Sequence, residues 1–197
     1  MYISQDTNQP GKQSRLLPPY GWLGFGLIVI CWPLNWLLPG LRTSWLFFPL
    51  WLGYCLAVDG LVFCRKGTSL LTRSRQRYLG LFLVSAPVWW LFEAFNLRTQ
   101  NWVYRGAEQF PPLIYFILAS VSFSTVIPAV FGTAELVSTF GIIRRARPGL
   151  IIQDNKTTTI TFFVIGWIML ALMLAWPLYF FPFLWLSVYF ITEPVNV

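Results

Sequence analysis

The sequence predicts an all-α fold: a polytopic transmembrane helical bundle of five spans plus a short or incomplete sixth element. Three observations carry that expectation. Five long apolar stretches are separated by short loops. Arginine and lysine gather on alternate loops. The chain is 56% hydrophobic and only 11% charged, where soluble domains carry roughly 25% charged residues.

Each stretch comes close to the roughly 20 residues that cross a 30 Å hydrocarbon core. The first runs from Tyr20 to Leu38 and the second from Trp45 to Cys64. The third runs from Tyr78 to Phe95, the fourth from Pro112 to Phe131, and the fifth from Ile160 to Phe180. Eleven tryptophans, many near span ends, match the interfacial preference of amphipathic rings. The last apolar run continues to Ile191, which makes 32 residues from Ile160. A straight helix of that length would extend about 48 Å and overshoot the core. Pro177 and Pro182 flank Leu-Tyr-Phe-Phe, and proline breaks or kinks helices. A turn near residues 177 to 182 is therefore expected, with the short sixth element re-entering the membrane.

Residues 1–19 read as a flexible cytoplasmic tail, and residues 20–197 as the transmembrane domain. The tail holds Lys12 and Arg15 but lacks the apolar core of a cleaved signal peptide. With the N-terminus inside, eleven basic residues fall on inner segments and three, Arg42, Arg98 and Arg105, on outer loops. That asymmetry predicts a multi-pass protein of the bacterial inner membrane with its N-terminus in the cytoplasm. The inner-face loop holding Arg65, Lys66, Arg73, Arg75 and Arg77 is the sharpest cue. It reads as a topology determinant facing anionic headgroups, or as a phosphate- or partner-docking loop. Residues 133–147 mix apolar and basic side chains and are expected to lie along the inner interface as an amphipathic helix ended by Pro148-Gly149.

FFPLWL at Phe47 to Leu52 recurs as FFPFLWL at Phe180 to Leu186. Beyond it, Gly53 to Val62 aligns without gaps to Ser187 to Asn196, setting Asp59 opposite Glu193. A parallel internal repeat of 45–64 against 180–197, or coincidence in an aromatic-rich chain, would each produce this. A true repeat would make the chain a shortened member of a longer two-repeat architecture, since a full second copy needs further spans.

The segment WWLFEAFNLRTQNWVY at Trp89 to Tyr104, together with the Asp59 span, resembles stretches of uncharacterised multi-pass bacterial membrane proteins. The resemblance covers about half the chain. It implies membrane residence and carries over no residue of known role.

Acidic groups inside a bilayer cost roughly 2.5 to 3.5 kcal/mol on insertion scales and tend to face other helices or a cavity. Asp59 is the deepest here. Glu93 lies near the outer end of span three, and Glu135 follows span four at the inner face. Asp59 and Glu135 are expected to approach each other or to share Arg65 or Lys66. Glu93 is expected to pair with Arg42 or Arg98. Asn35 would cap a helix end or contact Glu93. Each is a buried polar candidate, either holding helix register or serving protonation or ligand contact. The hydroxyls of Ser120, Ser122, Ser124 and Thr125 in span four suit close helix approach and interhelical hydrogen bonds. Asn96, Arg98, Asn101, Trp102, Tyr104 and Arg105 form the densest polar-aromatic patch outside the core. It reads as an interfacial anchor, or as a contact for a headgroup, sugar or partner.

No histidine is present, which excludes His-based hydrolysis, Glu-x-x-His di-iron sites and His-ligated haem within the chain. Cys31, Cys55 and Cys64 form no C-x-x-C pair and read as free thiols in apolar settings. No metal spacing, nucleophile motif or phosphate loop occurs, so no catalytic residue and no metal ligand is assigned. The net charge of +7 reflects the inner loops, and nucleic acid is not an expected partner.

The leading functional expectation is a non-catalytic accessory subunit of a larger membrane complex, packing against lipids and other membrane subunits. No cofactor is predicted. In a pigment complex, a carotenoid or a chlorophyll ligated without histidine would fit. The alternatives are an enzyme acting on a lipid or isoprenoid through a carboxylic acid, and a small transporter.

Overall fold

The computed structural model describes residues 16–38, 40, 44–145 and 155–193. Among them the fold is all-α, with no strand. Five helices are long and apolar enough to cross a membrane: Pro19–Leu37, Trp45–Lys66, Arg75–Thr99, Pro112–Ser138 and Lys156–Ala175. The chain is therefore a helical membrane protein by length and composition. Residues 1–15 of the tail expected at 1–19, Arg42, and the Pro148-Gly149 stop lie outside the described residues.

The first unit comprises the described residues up to Ala86 together with Phe116–Arg144. Helix α1 (Pro19–Leu37) starts with proline in its first turn, where the missing N–H costs nothing. It runs antiparallel to α2 (Ser44–Lys66). Their contact is made of small residues. A Cβ on Gly24 would lie 2.5 Å from the Ala57 nitrogen and 2.6 Å from the Gly53 carbonyl oxygen. In lipid, association depends on such close van der Waals approach, because hydrocarbon offers no hydrophobic drive between helices.

Helix α2 also packs on α6, where Tyr54 Oη meets Thr133 Oγ1 at 2.8 Å. After α2, Gly67 turns the chain at φ +79°. The single turn α3 (Leu70–Arg73) follows, capped by Ser69 and Thr72 in a reciprocal capping box. Helix α4 (Arg75–Thr99) begins three residues before the expected third span and ends four after it.

The fourth span is two helices, α5 (Pro112–Phe123) and α6 (Val126–Ser138). The span expected at Pro112 to Phe131 is present and runs on to Ser138, with a break at Ser124 and Thr125 between its two helices. Pro128 has no N–H for the Ser124 carbonyl. Ser85 Oγ, from α4, enters the helical ladder: it donates to the Phe123 carbonyl and accepts from the Ile127 nitrogen at 3.0 Å. A proline and an inserted side chain are both recognised causes of a helix break. The span-four hydroxyls bond back onto their own chain, Ser120 to Phe116, Ser124 to Val121 and Thr125 to Ser122. Ser85 supplies a hydroxyl from another helix at this break. Helix α6 then extends through the first part of the expected interfacial helix, leaving α7 (Gly141–Arg145) as a short turn.

The second unit comprises Pro87–Tyr115 and the described residues from Arg145 onward. Helix α8 (Lys156–Ala175) starts at Asn155, whose side chain accepts from the Thr158 nitrogen at 2.9 Å. It stops at Trp176, because Pro177 cannot continue the ladder. The single turn α9 (Pro177–Phe180) leads to α10 (Phe183–Thr192), which folds back against α8. The expected turn at 177 to 182 and the short sixth element are both present. Phe92, Leu170, Met173 and Leu184 form this unit's core, with Met173 and Leu184 fully buried. A Cβ on Gly166 would lie 2.8 Å from Ile191 Cγ1. Ile191 and Ala57, aligned in the proposed repeat, thus each abut a glycine of the preceding long helix.

Candidate functional site

The costly polar groups gather in carboxylate-centred clusters within the two units. In the first unit Asp59, 2% exposed, sits on the α1-facing side of α2. Its Oδ2 accepts from Ser69 Oγ at 2.6 Å and from Tyr20 Oη at 3.0 Å. Its Oδ1 accepts from the Leu71 nitrogen at 3.0 Å. All three donors are neutral. A buried carboxylate survives only when hydrogen-bonded, and here its partners tie α1, α2 and the turn into α3 together. Tyr78, 4% exposed, has a hydroxyl with no hydrogen-bond partner among the described residues.

Glu135, on α6, takes the cations. Arg73 donates to it with both terminal nitrogens, at 2.6 and 2.9 Å. Lys66 Nζ lies at 3.2 Å. The hydrogen bond to Glu135 holds the Arg73 pKa above its ordinary value. Arg65 instead donates to Thr139 Oγ1 and to the Thr139 carbonyl, and stacks 4.3 Å from the centre of the Phe140 ring. The expected sharing of Arg65 or Lys66 by Asp59 and Glu135 is thus corrected. Lys66 reaches Glu135, and Asp59 has no ion pair among the described residues. The cause is helical position. Lys66 follows Asp59 by seven residues, about 10.5 Å along the axis, while Asp59 is turned toward Tyr20. Arg75 and Arg77 are exposed at the start of α4.

In the second unit, three donors converge on Glu93 Oε1: Trp89 Nε1 at 3.0 Å, Trp102 Nε1 at 3.0 Å and Tyr104 Oη at 2.6 Å. Trp89 lies one turn before Glu93 on α4, so helical spacing alone puts both on one face. Trp102 and Tyr104 arrive from the following loop, and Asn96 shapes that loop. Its Oδ1 accepts from the Asn101 and Trp102 nitrogens, and its Nδ2 donates to the Trp102 carbonyl at 2.8 Å. Burial first, then the hydrogen bond to Glu93, push the Tyr104 phenol above its ordinary pKa.

The expected pairing of Glu93 with Arg98 is not made. Arg98 donates to the Leu174 and Ala175 carbonyls, at 2.9 and 3.3 Å, satisfying the end of α8. Cations suit helix C-termini, where carbonyls lack partners. Arg42 is outside the described residues, and Arg105 is exposed. Asn35 sits in the last turn of α1, whose end is closed by the Leu38 nitrogen on the Leu34 carbonyl, so Asn35 is not the cap. Beside Glu93 opens a cleft of about 680 Å³, lined in part by Trp90, Asn96, Gln100, Trp102 and Tyr115.

Sequence reasoning missed Tyr20 and Ser69 as partners of Asp59, Trp89 as a partner of Glu93, and Ser85 as the helix splitter. The Ser69-x-x-Thr72 pattern and the four-residue spacing of Trp89 and Glu93 were readable signals. The partnership of Tyr20 with Asp59, 39 positions apart, had none. No group of three or more potential metal ligands occurs among the described residues. Comparison with family models, curated proteins and solved structures returned no match.

Proposed function

We propose that this helical membrane protein is a non-catalytic subunit of a larger complex in the bacterial inner membrane. Its N-terminus and the basic loop at residues 65–77 face the cytoplasm in this reading. The observation that carries it is the use made of the carboxylates. Asp59 accepts three hydrogen bonds, Glu135 binds two cations, and Glu93 accepts three hydrogen bonds on one oxygen. Acids engaged in holding helices and loops are poorly placed to pass protons to a substrate, which general acid catalysis requires.

The surface supports the same reading. Between 17% and 39% of the residues in each span's most apolar stretch are buried inside the chain. Most span side chains are thus left to face lipid or the helices of other subunits. A carotenoid, or a chlorophyll ligated by water or a backbone carbonyl, could occupy such a face.

The test is extraction in mild detergent with an affinity tag on the full chain. A partner subunit recovered in fixed stoichiometry supports the proposal. A homogeneous monomer that turns over a lipid or isoprenoid, and loses that activity in Glu93→Gln, replaces it with the enzyme reading.

A further inference from the structure

The cleft at the C-terminal end of α4 is built around a carboxylate with one oxygen unspent. Glu93 Oε1 takes all three donors, and Oε2 takes none among the described residues. Two more polar groups in the lining, the Gln100 amide and the Tyr115 hydroxyl, carry no hydrogen bond among the described residues. The Asn96 amide is spent on the loop. The volume, about 680 Å³, falls within the roughly 300 to 1,000 Å³ of small-molecule sites.

We propose that this cleft binds the phosphoethanolamine headgroup of a membrane lipid. An ammonium group supplies donors to Glu93 Oε2 and stands against the Trp90 and Trp102 rings, where cations are attracted to the aromatic face. The Gln100 amide and the Tyr115 hydroxyl are then the donors for the phosphate. Charge selects the headgroup. Among the described residues Glu93 is the one charged residue in the lining, so an anionic headgroup such as phosphoglycerol meets repulsion with no cation among those lining residues to offset it. Depth selects a lipid over a soluble amine. Glu93 lies six residues before the end of a membrane-spanning helix, about 9 Å along its axis. Trp and Tyr side chains at that level mark the headgroup zone.

The test uses the full chain reconstituted in vesicles of equal phosphatidylethanolamine and phosphatidylglycerol. It is then extracted into mild detergent and weighed by native mass spectrometry. The wild type should retain phosphatidylethanolamine about tenfold over phosphatidylglycerol, and Glu93→Gln should bring the ratio close to one. Equal retention by the wild type, or an unchanged preference in a folded Glu93→Gln variant, overturns the proposal. If Glu93→Gln fails to fold, Ala94→Phe decides. Ala94 lines the cleft from an exposed position on α4 and makes none of the Glu93 bonds. Its enlargement should abolish retention, and full retention would sink the idea. Binding of soluble phosphoethanolamine without retention of the lipid would overturn the membrane-lipid assignment.

Discussion

Arg73 grips Glu135 with both terminal guanidinium nitrogens, at 2.6 and 2.9 Å, joining the basic loop after α2 to a helix 62 positions further along the chain. Planar two-point pairing is something lysine cannot reproduce. Arg73 is 44% exposed at the side chain while Glu135 is 11% exposed, so solvent screens one partner only. Replacing Glu135 by Gln should lower stability by about 1 kcal/mol, read as a lower unfolding midpoint in detergent. Arg73→Lys should lose about half of that. An Arg73→Lys variant as stable as the wild type would mean the second contact contributes nothing.

Asp59 is held by neutral donors, so its removal takes the carboxylate acceptor from Tyr20, from the Leu71 nitrogen and from Ser69, which keeps Thr72 Oγ1 at 3.0 Å. Unpaired buried donors cost about 1 to 3 kcal/mol each. Asp59→Leu should therefore misassemble, with reduced yield and increased cleavage in the loop at residues 65–77 under limited proteolysis. Asp59→Asn keeps one acceptor oxygen and should be milder. Normal expression and protease resistance of Asp59→Leu would contradict a structural role and favour a functional one.

Gly24 sets how closely α1 approaches α2. Any side chain there meets the backbone of Gly53 and Ala57, which cannot rotate away. Gly24→Leu should separate the pair and destabilise the protein by more than about 3 kcal/mol, the upper part of the overpacking range. Gly26, on the same helix, has open space where its Cβ would be. Gly26→Leu should be tolerated, and equal loss in both variants would refute the close-approach argument.

Tyr104 gives the loop after α4 a pH dependence. Its phenol pKa is raised by burial and by the bond to Glu93. A raised pKa means the folded state holds the proton more tightly than the unfolded one. The associated stability is complete below the unfolded value near 10. It is lost as pH climbs through the folded value. The difference in unfolding midpoint between wild type and Tyr104→Phe should stay constant from about pH 7 to 9 and shrink above about pH 10. A difference that holds steady through pH 11 would show an unshifted phenol.

Much of the helical content was legible because it follows from composition over long windows. The turn at Pro177 and Pro182 was legible because proline acts on its own backbone. The split at Ser124 and Thr125 was half legible. Pro128 is visible in the sequence, but its effect is completed by Ser85 from another helix. Partners were the least legible part. Asp59, Glu93 and Glu135 stand out as charges in apolar runs, yet which donors meet them depends on helix rotation and crossing. A shift of one residue turns a side chain by about 100°, so Arg65 finds Thr139 while its neighbour Lys66 finds Glu135.

The sequence by itself determined the solvent this chain is made for, the number of its long apolar helices, and the small set of polar groups needing partners. A bilayer acts on average hydropathy and length, and both are sums along the chain. Tertiary structure alone decided that Asp59 is satisfied by hydroxyls and an amide, that Arg98 closes the end of α8, and that three donors meet on one oxygen of Glu93 beside a cleft. Those outcomes depend on distances of a few ångströms between residues far apart in the chain, where geometry chooses among several chemically acceptable partners.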